Sequence, residues 1–265
     1  HGLVIRSETK VTPEVFAAAK NLKAIGRAGV GVDNIDRAAA TDHGVVVMNT
    51  PSGNTISTAE HAFALMLSLA RNIGQAHCSM IAGRWDRKSL QGVEMFGKRL
   101  AIVGMGRIGT EFAKRAQAFG MTVVAFDPFL TAARAQSLKV ELAESADEAL
   151  TGADVVTLHI PLTPETNHLL NADRIALMNP GALIVNCARG GLVDEAAAKA
   201  SMDAGHLGGI ALDVYEVEPP PADFPLFSAK KCVFTPHLGA STAEAQENVG
   251  VEVAEAAITV LGGGS

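Results

Sequence analysis

The chain has 265 residues, 48% of them hydrophobic and 19% charged, with a formal net charge of −6. That is enough apolar material for one or two globular cores, but it gives no positive field to hold a nucleic-acid backbone and no apolar run long enough to span a bilayer. Three scattered cysteines, Cys78, Cys187 and Cys232, fit neither a disulfide framework nor a paired metal site and suit a reducing cytosol.

The start, "HGLVIRSETK", has no initiator Met and no visible signal peptide, and reads as trimmed. The runs "LVIRS", "KAIGRAG" and "VVVMNT" then read as three short strands. "STAEHAFALMLSLARNIGQAHCSM", residues 57–80, reads as one long helix capped by Ser57 or Thr58, with Glu60 and His61 in its first turn. Its apolar residues run almost all the way round, which predicts burial in a core or at a subunit interface. A polar connection follows, in which Trp85, beside Arg84 and Arg87, reads as an interface anchor rather than a base-stacking platform. Beyond it come "RLAIVGMG", "TVVAFDP", "DVVTLHIP", "ALIVNCARG", "IALDVYE" and "KCVFTPH". These runs are mostly rich in Val and Ile and lack polar alternation, as strands covered on both faces do. The helical stretches between them predict a parallel α/β sheet. The end, "LGGGS", reads as a frayed tail or a scar.

Residues 99–128, "RLAIVGMGRIGTEFAKRAQAFGMTVVAFDP", place Gly104, Gly106 and Gly109 directly after an apolar strand. Phe112, Ala116 and Phe119 recur at helical spacing, Gly120 stops the helix, and a second strand from Met121 to Phe126 ends at Asp127. Asp127 lies 18 residues past the third glycine, near the roughly 20 expected of a dinucleotide-binding unit. The glycines let the backbone turn tightly, approach a pyrophosphate and pack helix on strand; amides at the helix start meet the negative oxygens. Asp127 accepts from ribose hydroxyls and repels a 2′-phosphate. Pro128, Phe129 and Leu130 offer no cation, so NAD is expected rather than NADP. A glycine-rich turn closed by a capping Asp is the structural alternative.

Polar groups also follow the other apolar runs. His159 and Pro161 follow "DVVTL", Arg189 follows "ALIVNCA", Asp213 follows "GIAL" with Glu218 five residues on, and His237 follows "KCVFTP". In a parallel sheet these strand ends share one edge, where ligands bind. Arg189 suits a carboxylate, held bidentately. His237 suits proton transfer near neutrality, and Glu218 suits the far ring nitrogen of His237, fixing its tautomer. Asp213 suits a nicotinamide amide. Each has a structural alternative: Arg189 on turn carbonyls, Glu218 as a solvated loop acid, and His237 and Asp213 as caps. Cys187 reads as packing and His61 as a helix-start or dimer contact. His43, His77, His168 and His206 show no metal spacing, so no metal is expected.

Together, "RAGVGVDNID", "NTPSGNTISTAEH", "GMGRIG", "NCARGGLVDE", "ALDVYEVEPP" and "TPHLGAST" resemble the D-isomer-specific 2-hydroxy acid dehydrogenases from about Leu3 to about Val260. The resemblance implies a Rossmann-type doubly wound parallel-sheet domain for NAD over 49–240. It also implies a smaller flavodoxin-like α/β substrate domain built from both chain ends, 1–48 and 241–265, with the active site between the two. It carries the catalytic residues to Arg189, Glu218 and His237. Its NAD contacts fall on the glycine loop with Arg107 and Ile108, on Asp127, on His159, Ile160 and Pro161, and on Cys187, Ala188 and Arg189. Others fall on Val30, Asp213, His237, Gly239 and Ala240. Arg6, Arg27 and Arg87 correspond to arginines that approach a substrate phosphate and carboxylate, Arg87 being lent by a neighbouring subunit. The backbone of Gly29 and Val30 completes the substrate set with Arg189 and His237. For Arg6 and Arg87 a solvated surface charge is the alternative.

The implied reaction is cytoplasmic oxidation of D-3-phosphoglycerate at C2 to 3-phosphohydroxypyruvate, the opening reaction of serine synthesis. A homodimer or homotetramer joined through 57–90 is expected, with no nucleic-acid or membrane partner. The alternatives are a hydroxypyruvate or glyoxylate reductase with the same triad and an NADH-sensing, corepressor-like peptide binder with negligible turnover. The family's usual first strand–helix–strand is missing ahead of "LVIRS", which leaves the substrate domain incomplete unless the start is trimmed. A C-terminal regulatory domain is also missing, so feedback inhibition through one is not expected.

Overall fold

A computed structural model describes residues 1–262; most of the tail expected at "LGGGS" lies outside the described residues. The chain begins with β1 (Gly2–Ile5), α1 (Pro13–Ala18), β2 (Ala24–Arg27), α2 (Arg37–Asp42) and β3 (Val46–Asn49). Next come α3 (Thr55–Ala70), α4 (Ile73–Ile81), β4 (Arg99–Val103), α5 (Arg107–Ala118), β5 (Thr122–Phe126), α6 (Ala132–Leu138) and β6 (Glu141–Leu142). The remainder is α7 (Ala146–Leu150), β7 (Val155–Leu158), α8 (Ala172–Ala176), β8 (Leu183–Asn186), α9 (Glu195–Asp203), β9 (Gly209–Leu212), β10 (Cys232–Phe234) and α10 (Ala243–Leu261). Two compact units result, His1–Ser57 with Ala240–Ser265, and Thr58–Gly239.

The smaller unit holds three parallel strands in the order β1-β2-β3. Ile5, Val11, Phe16, Ile25, Ile35, Ala39, Ala40 and Val45 form its core, and α10 packs against the same strands. Thr242 caps α10 through a bond from the Ala245 amide, and Asp36 caps α2 through one from Ala39. Such caps satisfy amides that the first turn leaves without partners.

The larger unit holds seven parallel strands in the order β10-β9-β8-β7-β4-β5-β6. Alternate strand residues enter different cores. Ala101, Val103, Val156, Leu158, Ile184 and Ile210 belong to one; Leu100, Ile102, Val155, Leu183, Val185 and Ala211 belong to the other. Side chains on a strand alternate sides, so both faces of this sheet are covered, and that is why the runs read as continuously apolar. Phe112 of α5 is fully buried and meets Phe63 edge-on at 5.5 Å; such burial contributes about 1.5–3 kcal/mol per large side chain. The strand order reverses at β4, with β5 on one side and β7 on the other, which is where crevices open in doubly wound sheets.

Two local expectations are corrected, and one short strand is added. The long helix over 57–80 is two helices, broken where Asn72 takes a left-handed conformation (φ 54°). Asn tolerates that region better than most residues, and the Asn72 amide donates to Leu90 O and Gln91 O at 3.2 and 3.1 Å. Ser57 and Thr58 lie inside α3 rather than capping it; Ser57 Oγ donates to Asn54 O instead. The two-residue strand β6 beside β5 was not expected, being too short for any periodicity to register.

Among the described residues no helix is long and apolar enough to cross a membrane, and no group of three or more His, Cys, Asp or Glu could hold a metal ion.

Candidate functional site

The glycine loop follows β4 and opens α5. Gly104 has φ +98°, and a Cβ there would lie 2.5 Å from His159 O. A Cβ on Gly109 would lie 2.0 Å from Gly104 O, so these two glycines hold the tight turn and the helix–strand approach. A Cβ on the exposed Gly106 would meet nothing within 4 Å; it faces open space at the N-terminus of α5, which has no capping side chain and no acid in its first turn. Asp127, just past β5, accepts from Met105 N through Oδ2 (2.7 Å) and from Phe129 N through Oδ1 (2.8 Å). Each carboxylate oxygen accepts more than one bond, so both keep capacity for a ribose hydroxyl. The bare helix start, the open side at Gly106 and the acid on the next strand fit a dinucleotide.

His159 follows β7 at the same edge. Its Nε2 lies 3.1 Å from Thr157 Oγ1 and its ring packs 5.4 Å from that of Phe112. Burial lowers its pKa from the ordinary 6.5 to about 3, so it is a neutral side chain and adds no charge for a diphosphate. Cys187 is buried, and burial first, with the Asp213 charge second, pushes its pKa well up. It is a thiol, not a nucleophile.

Arg189, Glu218 and His237 follow β8, β9 and β10, which are adjacent in the sheet. Strands are spaced about 4.8 Å apart, so the ends of β8 and β10 are roughly 10 Å apart. His237 Nδ1 lies 2.8 Å from Glu218 Oε2, and Glu218 Oε1 accepts from Tyr215 N at 3.1 Å. His237 has φ 54°, a sparsely populated region for a non-glycine residue that persists when its surroundings hold it. Asn186, fully inside the sheet, builds the Arg189 turn: its Nδ2 donates to Arg189 O and its Oδ1 accepts from Ala188 N. Gly190 allows that turn to pass the next strand's loop, since a Cβ there would lie 1.7 Å from Tyr215 O.

Asp213 has a structural role besides the cofactor contact expected of it. Its carboxylate is fully buried and accepts from four protein donors. Oδ1 takes Leu238 N (2.7 Å), Thr235 Oγ1 and His61 Nε2 (3.2 Å); Oδ2 takes Gly239 N (2.8 Å). Burial raises its pKa, but these bonds outweigh that and leave it below the ordinary carboxylate value. The side chain thus holds the loop that carries His237; Oδ1 already has three donors, while Oδ2, with Gly239 N alone, keeps capacity for a further donor such as a nicotinamide amide. His61 was read as a helix-start residue; in the structure it reaches Asp213 and Thr235. No sequence signal points there, because the partners are 152 and 174 residues away. Asn186 two residues before Ala188 was legible as a side-chain-bonded turn but was not singled out.

Gly239 lies in the larger unit and Ala240 in the smaller. Arg87 is exposed in the larger unit. In the smaller unit Arg6 follows β1 and Arg27 ends β2, at the same edge of that sheet. The Gly29 amide, expected to grip a carboxylate, donates to Thr50 Oγ1 at 2.6 Å, and Val30 O accepts from Asn49. Gly29 has φ +139°, and a Cβ there would collide with the Arg27 guanidinium.

The family described as D-isomer specific 2-hydroxyacid dehydrogenase, NAD binding domain, matches residues 63–239. The chain is 54% identical over 253 residues to a D-3-phosphoglycerate dehydrogenase of Bacillus subtilis, covering 96% of this chain and 48% of the relative. It is 51% identical over 261 residues to one of Methanocaldococcus jannaschii, covering 98% and 50%. The chain spans about half the length of the curated relatives it matches. A solved NAD-dependent formate dehydrogenase from Staphylococcus aureus, in complex with NAD, superposes with a TM-score of 0.87 at 33% identity, over 98% of this chain and 78% of that one. The fold and the strand-end site define a Rossmann-type nicotinamide-cofactor protein. The chain belongs to the D-isomer specific 2-hydroxyacid dehydrogenase family, with NAD as its cofactor.

Proposed function

We propose that the protein oxidises D-3-phosphoglycerate to 3-phosphohydroxypyruvate with NAD in the cytoplasm. The observation that carries this reading is the 2.8 Å pair between His237 Nδ1 and Glu218 Oε2. With Nδ1–H donating to Glu218, Nε2 presents its lone pair and takes the C2 hydroxyl proton. Arg189 holds the substrate carboxylate and polarises the oxygen on C2. Bound NAD supplies the acceptor for the hydride that leaves C2. The amides of the glycine loop with Arg107 and Ile108 would hold its diphosphate, and Asp127 would accept from its ribose. His159, Ile160, Pro161, Cys187, Ala188, Asp213, Gly239, Ala240 and Val30 would line the rest of the cofactor, and Asp213 also fixes the 235–239 loop.

The smaller unit is the substrate domain in this reading, where Arg6 and Arg27 meet the substrate's anionic ends, joined by Arg87 of a second subunit. The exposed side chains Ile73, Met80, Ile81 and Trp85 support assembly into a homodimer or homotetramer through that region.

A panel of 2-hydroxy acids assayed with NAD and NADP, and of 2-oxo acids assayed with NADH and NADPH, each with and without phosphate, tests the substrate. Turnover of glyoxylate or hydroxypyruvate without the phosphorylated acid would assign a reductase. Replacing His237 with Asn is expected to lower turnover by about 10²–10⁴-fold and leave NADH binding intact; a fully active variant removes the assignment.

A further inference from the structure

The proposed chemistry uses one histidine, but a second is built into its support. His61, on α3, points Nε2 at Thr235 Oγ1 (3.0 Å) and Asp213 Oδ1 (3.2 Å). Thr235 Oγ1 itself donates to Asp213 Oδ1. A hydroxyl has one hydrogen, so against His61 it accepts, and Nε2 carries the proton. Of the four donors on Asp213, three (Thr235 Oγ1, Leu238 N and Gly239 N) belong to the segment that Asp213 holds. His61 alone among the four comes from another element. The Asp213 carbonyl also accepts from His237 N at 2.9 Å.

We propose that His61 is a positioning residue: its Nε2–H anchors Asp213 and Thr235 to α3 and thereby fixes the loop that presents His237 to Glu218. Without that donor a buried carboxylate is one bond short, which is costly for a charged group. The left-handed backbone at His237 depends on surroundings that hold it. Relaxation there turns the imidazole away from Glu218. No substrate contact is assigned to His61. The kinetic consequence rests on the dehydrogenase reading above; the loop consequence does not.

The test uses the full chain and three variants. His61→Leu removes the donor, and His61→Asn keeps polarity but falls short of both oxygens. In His61→Gln an amide N–H stands near the place of Nε2–H. In the Leu and Asn variants kcat is expected to fall about 10–100-fold, with the KM for the hydroxy acid and the Kd for NADH changed by less than about threefold. His61→Gln is expected to recover most of the rate. Backbone amide exchange at Leu238 and Gly239, followed without cofactor or substrate, is expected to speed up about tenfold or more in Leu and Asn but not in Gln. Unchanged exchange in both the Leu and Asn variants overturns the proposal. So does an equal loss of kcat in all three, or a loss that falls on KM alone. If Leu fails to fold, Asn against Gln decides. If the wild-type chain turns over no hydroxy acid, the dehydrogenase reading fails, and exchange still decides the role of His61.

Discussion

His159 shows how one residue's surroundings set its chemistry. Burial lowers its pKa from 6.5 to about 3, so the folded chain resists a proton that the unfolded chain accepts. A group with a lowered folded-state value of this kind contributes fully above about pH 6.5, and stability is lost as pH falls from there toward about 3. Replacing His159 with Asn is expected to flatten that slope. Urea midpoints at about pH 7 and about pH 4.5 check it: the wild type loses more between the two than the variant does, and equal losses would contradict the neutral assignment. Asp213 works in the opposite chemical direction. Its hydrogen bonds keep it ionised despite burial, so its contribution is present above the ordinary carboxylate range and fades as pH falls through its lowered value. Both residues are ordinary in the sequence. The enclosing strands and loops make them unusual.

The strand–loop–helix unit from β4 to α5 was readable as an element because its constraints are local: three glycines, an amphipathic turn and an acid one strand later. The three glycines nonetheless have different jobs, which separates two variants. Gly109→Ala drives a Cβ to within 2.0 Å of Gly104 O, so the backbone must move. A lower melting temperature and loss of NADH binding are expected together, at more than about 1 kcal/mol of stability. Gly106→Ala meets no protein atom within 4 Å. It is expected to melt like wild type within about 0.5 kcal/mol and yet bind NADH more weakly, because the space is kept for the diphosphate. Wild-type affinity in Gly106→Ala would show that no ligand approaches that face. The break at Asn72 was not readable in the same way. The residues around it favour a continuous helix, and the turn is held by carbonyls of Leu90 and Gln91, which lie in a segment with no periodicity of its own.

At the scale of the whole molecule, each unit has its own hydrophobic core, one in the smaller and two in the larger. Thermal unfolding is therefore expected in two steps, and NADH is expected to raise the step belonging to the larger unit by mass action. Calorimetry with and without NADH checks this; a single transition would mean the units unfold as one. The parallel α/β class, the glycine loop and the strand-end positions of Arg189, Glu218 and His237 followed from residue pattern alone. Apolar runs, helix periodicity and glycine spacing act over a few residues, and the parallel-sheet rule then brings the strand ends to one edge. The bond between Glu218 and His237 was foreseen because both lie on neighbouring strand ends. The burial of Asp213, its four donors, and the arrival of His61 from α3 could not be read in advance. They depend on which side chains meet across more than a hundred residues of chain, and such contacts leave no periodic trace in the residues that make them.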